Sequence, residues 1–330
     1  MKQSPALQRQ RGAAILLAML IVALVASLSA GAVWQQWRNI AVQSAEYQRL
    51  QTSWILQGTT DWARLLLRED AREGAVDYLG EPWAVPLAEA RLSSFLAAGN
   101  GAQDTSTNLP EAFLSGRIQD LQARLNISSL LDGTSLHTPT AKAFTRLWRA
   151  LDLPPQELVL LTTQLPLSVQ DGSAKSAAPF LPLAPRTLAQ LSWLGLSATT
   201  VARLAPYVTL LPERTPVNLN TASPLVLHAV IDKLELADAQ RLAAQRTRAH
   251  FKTLADASQA LGNGDWGLNE TQHSVNTRYF EVLGQMRLDA LRVRERSVVQ
   301  RDGLNVRVLW RERLSPTATT GVNQGASTAP

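Results

Sequence analysis

The chain has 330 residues and a mass of 36.0 kDa, 45% of it hydrophobic and 18% charged, with no cysteine. This composition excludes a collagen-like, wholly disordered or multi-spanning chain, and the missing cysteine removes disulfides, thiolate metal sites and cysteine nucleophiles together. The formal charge of +5 and pI of about 9.9 suggest an acidic partner, so the position of that charge decides its meaning.

Residues 1–12 are polar and basic, carrying Lys2, Arg9 and Arg11 with no acid, and no charge follows from Ala13 to Val33. As a helix that run rises roughly 31 Å, enough to cross a hydrocarbon core of about 30 Å. Basic residues ahead of a span predict a cytoplasmic N-terminus. Three readings fit: a plain single-span anchor, a signal peptide cut at Ala30-Gly31-Ala32, or a third that rests on a resemblance. Arg11-Gly12 joined directly to a long apolar helix resembles the leader of type IV pilin-like proteins, which implies a cut after Gly12 that leaves the apolar helix on the mature chain. The pattern continues without proline to Arg72, with Trp54, Ile55, Trp62, Leu65, Leu66 and Ala71 at helical spacing. A helix over 13–72 is predicted, and its continuity favours the third reading.

Residues 73–136 carry short apolar runs, at 92–97 and 118–125, broken by Gly, Pro and Asn, and predict a small α/β part with strands. Residues 137–272 are rich in Ala, Leu and Pro, with helical periodicity at 141–151, 155–164, 185–194, 199–208, 224–234, 237–250 and 254–261. These make an all-α block, interrupted by a flexible loop at 171–178. From Tyr279 the period becomes two, with Phe280, Val282, Gly284 and Met286 on one face. A second run covers 291–300. Asp302-Gly303 then signals a hairpin with both central residues at positive φ. The return strand places Leu304, Val306, Val308 and Trp310 on one face and Asn305, Arg307 and Arg311 on the other. A three-stranded antiparallel meander with one apolar face needs a cover, which the far half of the long helix can supply. Residues 273–314 hold these strands, and 315–330 form a disordered tail without core formers.

Two alike turns, Asn126-Ile127-Ser128-Ser129 and Asn218-Leu219-Asn220-Thr221, read as Asx-turns and helix caps. Residues 217–261 resemble a helix-hairpin-helix module of DNA-binding proteins. The hairpin, residues 232–238, lacks glycine and sets Asp232, Glu235 and Asp238 around Lys233, a field that opposes phosphate. Nucleic acid is therefore not expected as a partner. His137, His228, His250 and His273 are scattered without metal-ligand spacing, and no nucleophile elbow, P-loop or dinucleotide fingerprint occurs. No catalytic residue is assigned, and an enzyme is not expected. One loop offers oxygen ligands for a hard cation, Asp265, Asn269 and Glu270 with Asn263, but its spacing does not match an EF-hand and a solvated turn is the plainer reading.

Taken together, the leader join Arg11-Gly12, residues 115–130 (SGRIQDLQARLNISSL), residues 204–220 (LAPYVTLLPERTPVNLN) followed by Thr221-Ala222, and Arg278-Tyr279-Phe280 resemble the K-type minor pseudopilins of the type II (general) secretion system. The resemblance runs from Arg11 to Arg313. It implies an α+β, pilin-like fold, a long N-terminal helix on an antiparallel sheet, with a large all-α insertion of helix-hairpin-helix or SAM-like type. It implies cleavage after Gly12 and methylation of Ala13 by the prepilin peptidase, and a single-pass place in the bacterial inner membrane with the bulk of the chain periplasmic. Implied partners are the other minor pseudopilins, the major pseudopilin, the inner-membrane assembly platform and the lipid bilayer. The implied role is that of a non-enzymatic subunit of the tip complex that initiates and caps the pseudopilus. The alternative is a periplasmic DNA-binding, competence-type pilin. Pilin-like proteins usually carry Phe and Glu where this chain has Ala13 and Leu17, and loss of the Glu is a mark of the K type. A carboxylate in the membrane needs a partner, which pilins supply as the terminal amine of the subunit already in place; a subunit at the tip has none above it. The acidic Trp-Asp segment common in the family has no counterpart near residues 162–165, so calcium, though possible for a pseudopilin, is not counted as a cofactor and no metal residue is committed.

On this reading the charge has a simple origin. Loss of Lys2, Arg9 and Arg11 with the leader brings +5 to +2, and the rest is concentrated in the arginines of residues 287–313, expected on one sheet face.

Overall fold

A computed structural model describes residues 8–91, 112–169, 182–262, 264–288 and 291–314. The runs expected at 92–97, the loop 171–178, Asn263 and the tail 315–330 lie outside the described residues. The chain divides into two compact units, Met1–Gln57 and Gly58–Pro330. Helix α1, Gln8–Glu73, supplies all the described residues of the first and opens the second. Within the first unit the residues of the charge-free run are exposed all round the helix, Ile15, Leu16, Leu20, Val22 and Leu28 among them. An apolar helix with no buried stripe calls for an apolar solvent.

The second unit has a sheet and a helical block. The sheet has five antiparallel strands, β1 (Leu87–Arg91), β2 (Ala112–Asp120), β9 (Tyr279–Leu288), β10 (Leu291–Asp302) and β11 (Asn305–Leu314), in the order β1-β2-β9-β10-β11. The expected three-strand meander is thus β9-β10-β11, and β2 extends it by pairing Ile118 with Val282 and Gly116 with Gly284. Period-two alternation makes one face apolar. Ala63, Leu66 and Leu67 of α1 pack on it against Ile118, Phe280, Val282, Val299 and Val306. Trp83 closes this core edge-on to Phe280, ring centroids 5.2 Å apart.

Three sequence expectations for the sheet are corrected. Asp302 pairs with Asn305, so Gly303 and Leu304 form the two-residue loop and only Gly303, at φ 56°, is left-handed. One glycine at the first loop position suffices for a hairpin turn of the primed type. Trp310 does not share a face with Val306 and Val308. Val299 opposes Val308 while Val298 opposes Trp310, so Leu309 is an extra residue that reverses the parity. Trp310 and Leu309 pack with Tyr279, Val298, Leu121 and Leu211 on the opposite face. The arginines are divided too. Arg301 is buried on the α1 side with Val306 opposite it, whereas Arg296 lies over the Trp310 ring.

Between β2 and β9 the chain makes the helical block. Short parallel pairs, β3 (Leu125–Asn126) with β6 (Val208–Thr209) and β7 (Val217–Asn218) with β8 (His273–Ser274), and the hairpin β4 (Leu131–Asp132) with β5 (Ser135–Leu136), tie its ends. Its α-helices are α2 (Thr138–Ala150), α3 (Pro155–Ser168), α4 (Ala198–Leu204), α5 (Pro224–Val230), α6 (Leu236–Arg248) and α7 (Leu254–Ala260). The expected helix at 185–194 is a 3₁₀ segment, Leu188–Leu194, ended by Gly195 at φ 93°. The one expected at 199–208 stops at Leu204, because Val208 and Thr209 are drawn into the pairing with β3. Phe144, Leu147, Trp148, Leu161, Leu191 and Leu227 form one contiguous core for the block. The strands expected at 118–125 resolve into the end of β2, a 3₁₀ turn at Leu121–Ala123, and β3.

Candidate functional site

The expected processing residues Gly12 and Ala13 lie within α1, and α1 passes uninterrupted through Ala30-Gly31-Ala32. From Ala13 onward this helix is long and apolar enough to cross a membrane.

A second locus, in the second unit, joins the sheet to the helical block through buried polar groups. Asp120 ends β2 and is 4% exposed. Its Oδ1 accepts from the Gln122 amide at 2.6 Å and from Thr277 Oγ1 at 2.7 Å, while Oδ2 accepts from Asn218 Nδ2 at 3.0 Å and Thr221 Oγ1 at 2.5 Å. Asn218 also donates to the Asp77 carbonyl at 3.1 Å and accepts from the Asn220 amide. Asn220 in turn bonds both backbone groups of the Phe251 peptide region, accepting from its N–H and donating to its carbonyl. Asp77, after α1, accepts from the Thr277 amide at 2.7 Å and takes two contacts from Arg301 Nη2 at 2.5 and 2.6 Å. Arg301 Nη1 reaches Asp70 at 2.6 Å.

Several carboxyls thus surround one guanidinium. Burial pushes Asp77 up to about 7 against the pull of Arg301, and pushes Glu81 up to about 6. Asp70 and Asp120 are raised by the same cause. Asp70, Asp77 and Glu81 bring carboxylate oxygens within 4.8 Å of one another, but Arg301 already stands among them as the cation. Trp83 Nε1 and the Tyr78 amide occupy Glu81. This assembly holds α1, β2, β10 and the helical block in one arrangement, which is a structural task.

The capping reading of the two Asn turns was too small. Asn126 does accept from the Ser128 amide, and it also accepts from Leu211 N and donates to the Glu213 carbonyl at 2.7 Å. Each Asn therefore closes its own turn and fastens a segment distant in the chain. The likeness of the two motifs is visible in sequence; their separate long-range partners, Leu211 and Glu213 for Asn126 and Asp77 and Asp120 for Asn218, are not.

A family model of type II secretion system protein K matches residues 217–276, the stretch from β7 to just past β8 that includes Asn218 and Asn220. Type II secretion system protein K of Pseudomonas aeruginosa is 28% identical over 328 residues, covering 92% of each chain. That of Aeromonas hydrophila is 27% identical, covering 93% of this chain and 98% of the relative. The chain is thus similar to type II secretion system protein K over most of its length.

A solved structure shares the fold as well. The structure is similar to one chain of the GspK-GspI-GspJ complex from enterotoxigenic Escherichia coli, with a TM-score of 0.64 at 19% identity, covering 83% of this chain and 99% of that one. The competence-type alternative finds no support among these relatives. In this chain the hairpin between α5 and α6 is closed from within: Lys233 is left-handed at φ 61°, His228 Nδ1 meets the Leu234 carbonyl at 2.6 Å, and Arg146 pairs with Asp232 and donates to the Ala229 carbonyl at 2.8 Å. The remaining histidines are spent structurally. His273 is buried between the backbone oxygens of Asn269 and Val230, His137 bonds Thr140, and His250 stacks on Tyr78 at 3.8 Å. In the candidate cation loop, Asp265 accepts from the Gly267 amide, and Asn269 donates to the Gly267 carbonyl and accepts from the Gln272 amide, so their side chains serve the turn. Glu270 is exposed beside them.

Proposed function

We propose that this chain is a non-enzymatic subunit of the type II secretion machinery that assembles with other minor pseudopilins as the tip complex initiating and capping the periplasmic pseudopilus. The observation that carries this reading is the coverage of the fold comparison: nearly the whole of a protein K chain crystallised with GspI and GspJ overlays on this one. On this reading the residues from Ala13 onward anchor the chain once in the inner membrane, N-terminus inward. Prepilin peptidase cuts after Gly12 and methylates Ala13. The helical block, read as an insertion of helix-hairpin-helix or SAM-like type, serves as a cap that obstructs addition of subunits above it. Neither cofactor nor nucleic acid enters this reading, and the oxygens of Asp265, Asn269 and Glu270 are left without a committed metal.

Two measurements test it. Sequencing the mature N-terminus should begin at Ala13, and Gly12→Leu should accumulate the uncut form; a different first residue overturns the processing. Co-expression with GspI- and GspJ-type partners should yield a complex after detergent extraction, and failure to co-purify would refute the tip assignment.

A further inference from the structure

Arg38 is the first charged residue after Arg11, and no acid occurs before Glu46. On a helix Glu46 is about 12 Å away, too far for an ion pair. Arg38 nevertheless sits on an exposed helix face, at the point where the charge-free run has ended. Beside it Gly31 opens a notch: a Cβ there would meet nothing within 4 Å. Gly31, Trp34, Gln35, Arg38, Asn39, Val42 and Gln43 line a groove of about 500 Å³ on this face. Its polar groups are a guanidinium, three side-chain amides and an indole N–H, all able to donate and none a carboxylate. Trp34 and Trp37 stand 68% and 77% exposed at the same level. An indole combines an apolar ring with one donor, which suits the boundary between hydrocarbon and headgroups.

We propose that this notch binds the headgroup of an anionic phospholipid in the leaflet that residues 31–42 meet, with Arg38 on the phosphate and Trp34 at the ester level. The proposal rests on the reading of the preceding run as a membrane span. Three facts select a lipid. The groove begins where the hydrocarbon-length run stops, its net charge is positive with no acid to balance it, and the residues before it are exposed on every side of the helix, as a lipid-surrounded helix requires. Bound there, a headgroup fixes how deeply the helix sits.

The test uses the full chain in nanodiscs of phosphatidylethanolamine with a minority of phosphatidylglycerol, followed by native mass spectrometry of the released protein. Wild type should retain phosphatidylglycerol preferentially. Arg38→Gln should retain about fivefold less, as expected for loss of one basic contact at a membrane surface. Gly31→Leu, which fills the notch and keeps the charge, should lower retention comparably, and Arg38→Lys should keep most of it. Free inorganic phosphate at millimolar concentration should not displace the lipid; displacement would assign the groove to a small anion instead and overturn the proposal. Equal lipid retention by wild type, Arg38→Gln and Gly31→Leu, in chains that resist carbonate extraction, also overturns it. Wild-type protein that carbonate releases refutes the membrane span itself, and the lipid site with it.

Discussion

Asp120 and Asn218, 98 positions apart in the chain, meet in the interior at 3.0 Å, and through that bond the end of β2 grips the segment that leads into α5. Asn218 spends its amide on Asp120 and the Asp77 carbonyl and its oxygen on Asn220, so every part of the side chain is committed. Asn218→Ala leaves Asp120 and the Asp77 carbonyl each short of a buried donor. The expected loss is about 3 kcal/mol of unfolding stability. Urea denaturation of the full chain in mild detergent, followed by tryptophan fluorescence, measures it, and a midpoint within error of wild type would count against this junction.

The carboxyls around Arg301 make stability depend on pH. Asp77 and Glu81 titrate higher in the folded chain than in the unfolded one, so the folded state binds protons that the unfolded state releases. The stability they contribute is fully present below the ordinary carboxylate range and is lost as pH rises through about 6 for Glu81 and about 7 for Asp77. Thermal unfolding should therefore occur at a higher temperature at pH 5.5 than at pH 8. Asp77→Asn should flatten the part of that dependence lying between pH 6 and 8. A melting temperature that climbs steadily toward pH 8 would contradict the arrangement.

Phe280 lies at the centre of the helix-on-sheet core, fully buried, edge-on to Trp83 and 4.9 Å beneath the Arg301 guanidinium. Phe280→Ala opens a cavity at the point where α1 meets β9 and removes the aromatic face from a buried cation. A loss of about 3–5 kcal/mol is expected. Phe280→Leu restores most of the volume and should recover more than half of that loss. Hydrogen exchange at Ala63 and Leu67 provides a local check, since their amides should lose protection in the alanine variant.

What could be read from sequence followed from local physics. The absence of charge from Ala13 to Val33, the change to period two at Tyr279 and the proline and serine starts of helices such as α3 and α5 each require only neighbouring residues. Features set by long-range contact were hidden. Leu309 is an unremarkable strand residue until the partner strand shows that two residues there oppose one, and that single insertion sends Trp310 to the face opposite its predicted one. Likewise Asp70, Asp77, Asp120 and Arg301 are scattered charges in the sequence, and only the closure of β10 onto α1 brings them together. The Asn126 and Asn218 turns were a partial signal, since a repeated polar-apolar-polar motif did mark both fastening points.

Leu17 is where the pilin-like pattern would have glutamate, and it lies exposed on the apolar helix. On the tip reading, Leu17→Glu places a carboxylate in hydrocarbon with no terminal amine above it to pair with. The insertion cost is about 3 kcal/mol at mid-membrane on translocon scales, less toward the interface. The variant should still insert, because the flanking apolar residues outweigh one polar group, yet it should be recovered in smaller amount with its partner pseudopilins. Leu17→Gln, polar but uncharged, should show a smaller defect, and raising the external pH should not rescue either. Crosslinking yield between the variant and its partners, normalised to the amount in the membrane, reads the effect. A yield equal to or above wild type would mean that an amine partner is present at that level, which is incompatible with a subunit that has none above it.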